Sequence, residues 1–174
     1  MAQAESAFKE SLNHFDQARP PQPVLQINVL LNLAAVRINQ GRFADAEPLC
    51  REILAQDGPG PRHETRATAL LNLGQILAGQ GNYEAAEGLT RETLGLIGKQ
   101  VQRGQPIGCI ALCSLADFCR RQGRLSEAEP LARRALTLSE KSYGLNHPTL
   151  SRLLNVLAEI VRLQGRLDEA EALC

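Results

Sequence analysis

The chain has 174 residues, and its 44% hydrophobic content includes only 3% aromatic side chains, so its core must be built from Leu, Ala, Ile and Val, which suits close helix packing. Nineteen basic residues balance nineteen acidic ones with no run of one sign, which argues against nucleic acid or a membrane surface as the main partner. Five cysteines are an odd count in a chain that needs no staples, pointing to a reducing, cytoplasmic setting; there is no apolar leader region and no apolar run of about 18 residues.

Residues 1–19 come first, and within them Ala4, Glu5, Phe8 and Leu12 repeat the spacing of Ala46, Glu47, Cys50 and Leu54. They are expected to form a lone second helix of a repeat, stopped by Pro20, Pro21 and Pro23. A first full repeat is expected over 24–60. Its helix A runs from about Val24 to Gln40, with Ile27, Leu30, Leu33 and Ala34 at helical spacing; Gly41 makes the turn, and helix B runs from about Ala44 to Leu54 with Pro48 near its first turn. The second repeat, 61–104, has helix A from Glu64 to Gly79, a turn at Gly81 and helix B from Tyr83 to Val101. A third, 105–145, has helices over about 106–122 and 125–143. A fourth, 147–174, has helix A over about 148–164 and only the opening of helix B.

Gly41, Gly81, Gly123 and Gly165 stand 40, 42 and 42 residues apart, each preceded by Gln. A period of this length marks a tandem array in which each unit buries its apolar face on its neighbours. Leu33-Ala34, Leu73-Gly74, Leu115-Ala116 and Leu157-Ala158 recur in helix A; Ala46-Glu47, Ala86-Glu87, Ala128-Glu129 and Ala170-Glu171 recur in helix B. A small residue at one slot of each helix is what two antiparallel helices need to approach closely. HEAT and armadillo arrays share periods in the low forties, but the short glycine-centred turn and the paired small slots stand against them.

These residues resemble the tetratricopeptide repeat (TPR), and the period of 42 resembles its kinesin-light-chain variety. The loop Gly144-Leu145-Asn146-His147-Pro148 is similar to that family's linker, whereas the loops around Pro59 and Gly104 depart from it. The resemblance implies an all-α fold, a right-handed α-α superhelix or TPR-like solenoid of antiparallel helix pairs.

Nothing in the pattern calls for catalysis, a metal or a cofactor. Cys109, Cys113 and Cys119 share a helix without the four-ligand spacing of a structural zinc site, and they read as small apolar fillers, with Cys113 expected on the groove side. His14, His63 and His147 are scattered, and the Asp and Glu residues after each turn suit the positive end of a helix.

The resemblance implies a concave groove lined by the A helices. The positions that do not carry the repeat core are Asn28, Asn32 and Ala35; Thr68, Asn72 and Gln75; Cys113, Ser114, Asp117 and Arg121; and Arg152, Asn155, Glu159 and Arg162. In the resembled family asparagines near this segment hold the backbone of an extended peptide, which an amide does by donating and accepting together; Asn32 and Asn72 occupy matching slots. Arg120, Arg121 and Arg162 suit the carboxylates of an acidic peptide. The expectation is a non-catalytic scaffold or adaptor that binds a protein or peptide ligand. Two alternatives stand beside it: a homo-oligomer formed through the array ends, and a regulatory segment of a larger signalling protein. RNA binding is disfavoured by the zero net charge and few aromatics.

Overall fold

The structure, a computed structural model, describes residues 10, 23–55, 63–103, 105–143 and 148–173. The helix expected within 1–19 lies outside them except for Glu10, which is helical. Among the described residues there are nine helices and no strand: α1 (Pro23–Asn39), α2 (Phe43–Ala55), α3 (His63–Gly79), α4 (Tyr83–Leu96), α5 (Gly98–Gln102), α6 (Pro106–Arg121), α7 (Leu125–Tyr143), α8 (Pro148–Leu163) and α9 (Leu167–Ala172). The chain divides into two compact units, Met1–Asn82 and Tyr83–Cys174, and the division falls between the two helices of the second repeat pattern.

Each turn between a helix A and its helix B is built the same way. Gly41, Gly81, Gly123 and Gly165 have φ of 72°, 85°, 78° and 83°, the left-handed region in which a side chain is strained. In the first turn the Gly41 N–H donates to Ile38 O and the Arg42 N–H to Arg37 O, both at 2.9 Å; Gly123 to Arg120 O and Arg124 to Cys119 O repeat this at 2.9 Å. This is the Schellman arrangement, which satisfies carbonyls the helix end leaves open and restarts the chain within two residues.

In unit 1, α2 packs on α1 and α3, and α1 lies against α3. Ile27, Leu30, Ile53 and Ala69 form a buried cluster there, and Ala34 and Ala46, the small slots, are fully buried. The Phe43 ring lies over the last residue of α3: a Cβ added to Gly79 would come within 2.3 Å of it, so this close approach requires glycine. Pro48 is the sixth residue of α2, just past its first turn, where it is expected.

In unit 2, α6 packs against α4, α5, α7 and α8, and α8 against α7 and α9. Its core joins Leu115, Ala116, Cys119, Ala128, Leu157, Ile160 and Val161. The helix expected to run unbroken over 83–101 is divided at Ile97, whose φ of −106° and ψ of 22° leave the helical range. Gly95 and Gly98 flank the break and lower the cost of bending there, while the Ile97 side chain is fully buried.

Candidate functional site

Two sets of polar side chains stand out: the exposed faces of the A helices, and a chain of ion pairs along the turns. In unit 1, Asn28 and Asn32 on α1 are exposed, while Asn72 and Gln75 on α3 are half-buried. The packing of α1 on α3 places these four amides on adjacent helices.

In unit 2 the face is charged. Asp117 takes up both neighbouring arginines: its Oδ1 accepts from Arg120 Nε at 3.0 Å and Nη2 at 2.6 Å, and its Oδ2 accepts from Arg121 Nε at 2.9 Å. Arg120 is half-buried, whereas the side chain of Arg121 is 46% exposed. Arg162 donates to Glu159 at 2.9 Å, and that bond holds the Glu159 carboxyl below its ordinary pKa, with a smaller contribution from the nearby charge of Arg120. Asn155 is exposed on α8.

Two groove positions are corrected. Cys113 and Ser114 are each only 1% exposed, because α6 is packed by helices on several sides and leaves little surface for a ligand. Burial pushes the Cys113 thiol up to about 11 in spite of the charge and hydrogen bond of Arg152, and the Cys50 thiol up to about 12 with help from Glu47. Cys50, Cys109, Cys113 and Cys119 are all buried and outside any disulfide, as their reading as apolar fillers requires.

Along the turns at Gly81, Gly123 and Gly165, the glutamine before the glycine reaches back to the glutamate of the preceding helix B. Gln122 donates to Glu87 Oε2 and Gln164 to Glu129 Oε2, both at 3.0 Å; the corresponding bond from Gln80 to Glu47 is long, at 3.5 Å. Arginines join it. Arg124 pairs with Glu87, and Arg91 bridges Glu87 and Glu127. Arg166 pairs with Glu129 at 2.8 Å, and Arg133 bridges Glu129 and Glu169. Burial alone would raise the Glu87 carboxyl, but hydrogen bonds from Gln122, Arg124 and Arg91 win and hold it below the ordinary value. The bond from Arg166, assisted by Gln164 and Arg133, outweighs burial at Glu129 and takes it down to about 2. These acidic residues therefore join one repeat to the next, beyond any favourable placement at a helix start. The sequence signal for this is the recurrence of Gln and Glu at matching positions of successive repeats, where the glutamates taken alone suit a helix start.

Glu87, Cys119 and Glu127 place three possible ligand atoms within 4.8 Å of one another. Arg91 and Arg124 already neutralise both carboxylates, so the cluster is an ion-pair node and not a built metal site.

Comparison with known proteins settles the family, since the model of the MalT-like TPR region matches residues 25–174. The chain belongs to that TPR family. Among solved structures, BtubC (BKLC) from P. vanneervenii is similar at a TM-score of 0.79 and 22% identity, over 99% of this chain and 69% of that one. A protein of nearly identical TPR-like repeats of kinesin-light-chain type from Podosopora anserina is similar at a TM-score of 0.72 and 19% identity, covering 85% of this chain and 71% of that one. No curated protein matches. The fold is therefore that of TPR-like repeats, similar to those of the kinesin-light-chain type, and TPR repeats in general serve as protein-interaction scaffolds. No described helix is long and apolar enough to cross a membrane.

Proposed function

We propose that the chain is a non-catalytic scaffold that holds an extended peptide segment of a partner against the exposed faces of its A helices. The observation that carries this reading is the set of amides in unit 1. Asn28, Asn32, Asn72 and Gln75 sit on two adjacent helices with no side-chain hydrogen bond to another described residue, although each side-chain amide offers donors and an acceptor. An extended peptide backbone presents the complementary groups at every residue. In unit 2, Arg121 and Asn155 add exposed donors on α6 and α8, which favours a ligand carrying acidic residues, while Arg162 is taken up by Glu159.

The test is a peptide array probed with the chain, followed by isothermal titration of the peptides retained. Replacing Asn32 and Asn72 together by Ala is expected to weaken binding by about tenfold, since each lost amide contact is worth about 0.5–1.5 kcal/mol. Unchanged affinity would place the binding surface elsewhere.

A second reading is self-association, favoured by Leu163 and Leu167, which are 48% and 60% exposed. Two neighbouring exposed leucines in unit 2 are the kind of apolar surface a second copy covers. Sedimentation over a range of concentrations decides it: a strict monomer that Leu167→Glu leaves unchanged excludes this reading.

A further inference from the structure

Three arginines were expected to meet an acidic ligand, and the structure separates them by how each is held. Arg120 is half-buried and gives both Nε and Nη2 to Asp117. Arg162 is 53% exposed and, among the described residues, tied only to Glu159, one turn earlier on its own helix. Arg121 differs from both. Its guanidinium lies 5.6 Å from the centroid of the Tyr83 ring, its Nη1 donates to the Tyr83 hydroxyl at 3.3 Å, and its Nε donates to Asp117. Tyr83 is in turn set against Phe118, with ring centroids 6.5 Å apart, and Phe118 is only 5% exposed. A buried ring thus supports a half-buried ring, which supports an exposed cation.

Such an arginine has already lost much of its rotamer freedom, so a ligand need not immobilise it on binding. Two of its five N–H donors are used, and those on Nη2 have no partner among the described residues. The Tyr83 oxygen accepts from Arg121, which leaves the hydroxyl proton to donate to a second acceptor. Two donors of different kinds, one cationic and one neutral, therefore stand side by side on one unit.

We propose that Tyr83 and Arg121 together form a preorganised anchor for one oxyanion of the partner peptide, with Asp117 as the residue that positions the guanidinium. The inference rests on the peptide-binding reading and narrows it to a single contact. The shared chemistry is a planar or tetrahedral oxyanion, supplied by a Glu or Asp side chain or by a phosphorylated one. Arg120 and Arg162 then serve the fold and the general field, without taking the ligand oxygen.

The experiment uses the full chain and three capped decapeptides: alternating Glu and Ala, the same with Gln for Glu, and the first with one central phosphoserine. Titration calorimetry is expected to show that the Glu peptide binds and the Gln peptide does not. Arg121→Lys keeps the net charge but loses the stacked, forked donor; it is expected to weaken the Glu peptide about tenfold, the loss of one charge-assisted contact. Tyr83→Phe keeps the ring and is expected to weaken it about threefold. Arg162→Lys is expected to change it less than about twofold. Equal losses at Arg121→Lys and Arg162→Lys, or none at either, would overturn the anchor. If the Asn32, Asn72 double variant weakens the peptide while Arg121→Lys does not, the groove stands and the anchor falls. No binding of any peptide to the parent chain overturns both. Tighter binding of the phosphoserine peptide that Arg121→Lys abolishes assigns the oxyanion to a phosphate, and weaker binding assigns it to a carboxylate.

Discussion

Unit 1 and unit 2 use the same Gln-Gly turn, yet they secure one repeat to the next by different means. In unit 1 the glutamate that receives the next turn is Glu47, and its partners are Arg51 at 2.7 Å, four residues along the same helix, and Gln80 at the long distance of 3.5 Å. The residue after that turn's glycine is Asn82. In unit 2 the same position holds Arg124 and Arg166, and each reaches back to a glutamate that a helix B arginine and a turn glutamine already bond. Unit 1 compensates with shape, laying the Phe43 ring over Gly79 where unit 2 sets the Tyr83 ring against Arg121. One repeat architecture thus tolerates two solutions, steric in one unit and ionic in the other, and the two should fail under different stresses.

The steric solution is expected to show the largest single effect. Gly79→Ala places a methyl group within 2.3 Å of the Phe43 ring, so the ring must swing out or the helix must shift, at a cost of about 1–3 kcal/mol. Urea denaturation and amide exchange in α2 and α3 read this out, and Phe43→Leu in the same chain should recover much of the loss. If Gly79→Ala alone proves neutral, the ring contact is not what seats α3.

The ionic solution should respond to charge and pH. Glu129→Gln removes the charge and one of the two acceptor oxygens shared by Arg166, Arg133 and Gln164, and is expected to cost unit 2 about 1–2 kcal/mol, whereas Glu47→Gln costs unit 1 about 0.5 kcal/mol or less. Acid should act like the first substitution. The Glu129 carboxyl titrates at about 2 when folded, below its ordinary value, so its stabilisation is complete above the ordinary carboxylate range and disappears as the pH falls through about 2. Glu87 is lowered in the same sense. Amide exchange should therefore speed up in α7 and α8 between about pH 5 and pH 2 more than in α1 and α2, and molar salt should narrow the gap between the units at neutral pH. Equal acid sensitivity in the two units would remove the ionic side of the comparison.

A smaller effect follows from the glycines of α4. Nothing lies within 4 Å of a Cβ added at Gly88, which is exposed in mid-helix. Gly88→Ala is expected to stabilise unit 2 by up to about 1 kcal/mol through helix propensity alone. The contrast with Gly79 is the point: the same substitution has opposite signs where space is filled and where it is open. A loss of melting temperature in Gly88→Ala would mean that this slot, filled by Pro48 and Pro130 at the matching positions of α2 and α7, is set by something other than propensity.

Much of this fold was legible in the sequence because the period, the turn glycines and the small slots are local and repeated. Leu33, Ala46, Leu115, Ala128 and Leu157 are all buried as their spacing requires, and the helix ends fall within a few residues of the caps that mark them. Less local features were not legible. The break at Ile97 arises from two isolated glycines that each look like a tolerated defect, and the burial of Cys113 and Ser114 arises from how many helices surround α6. The polar chemistry was mis-sorted for a related reason. Gln122 and Glu87 lie 35 residues apart and read separately as a turn mark and a helix-start charge; only the folded stack makes them one bond. Likewise Arg120, Arg121 and Arg162 look equivalent in sequence, and become distinct when Asp117, Tyr83 and Glu159 hold them differently.

The smallest predicted effect is the most direct test of the difference between the units. Asn82 follows Gly81 as Arg124 follows Gly123, and Gln80 lies 33 residues beyond Glu47 where Gln122 lies 35 beyond Glu87. The shorter first spacing leaves the Gln80 bond stretched at 3.5 Å, yet it also keeps the turn beside Glu47. Asn82→Arg should supply the Gly81 turn with the cation that Arg42, Arg124 and Arg166 give the other turns, and bring Glu47 into the pattern of Glu87 and Glu129. The pair would be exposed, as Asn82 and Gln80 are, so the gain is expected to be only about 0.3–0.5 kcal/mol at low salt and to vanish in molar salt. Its signature is specific: Glu47→Gln should become more costly in the Asn82→Arg background than in the parent, a coupling read by a double-mutant cycle in urea. Zero coupling would mean that the two-residue difference in spacing, and not the missing arginine, is what keeps unit 1 from using the ionic solution.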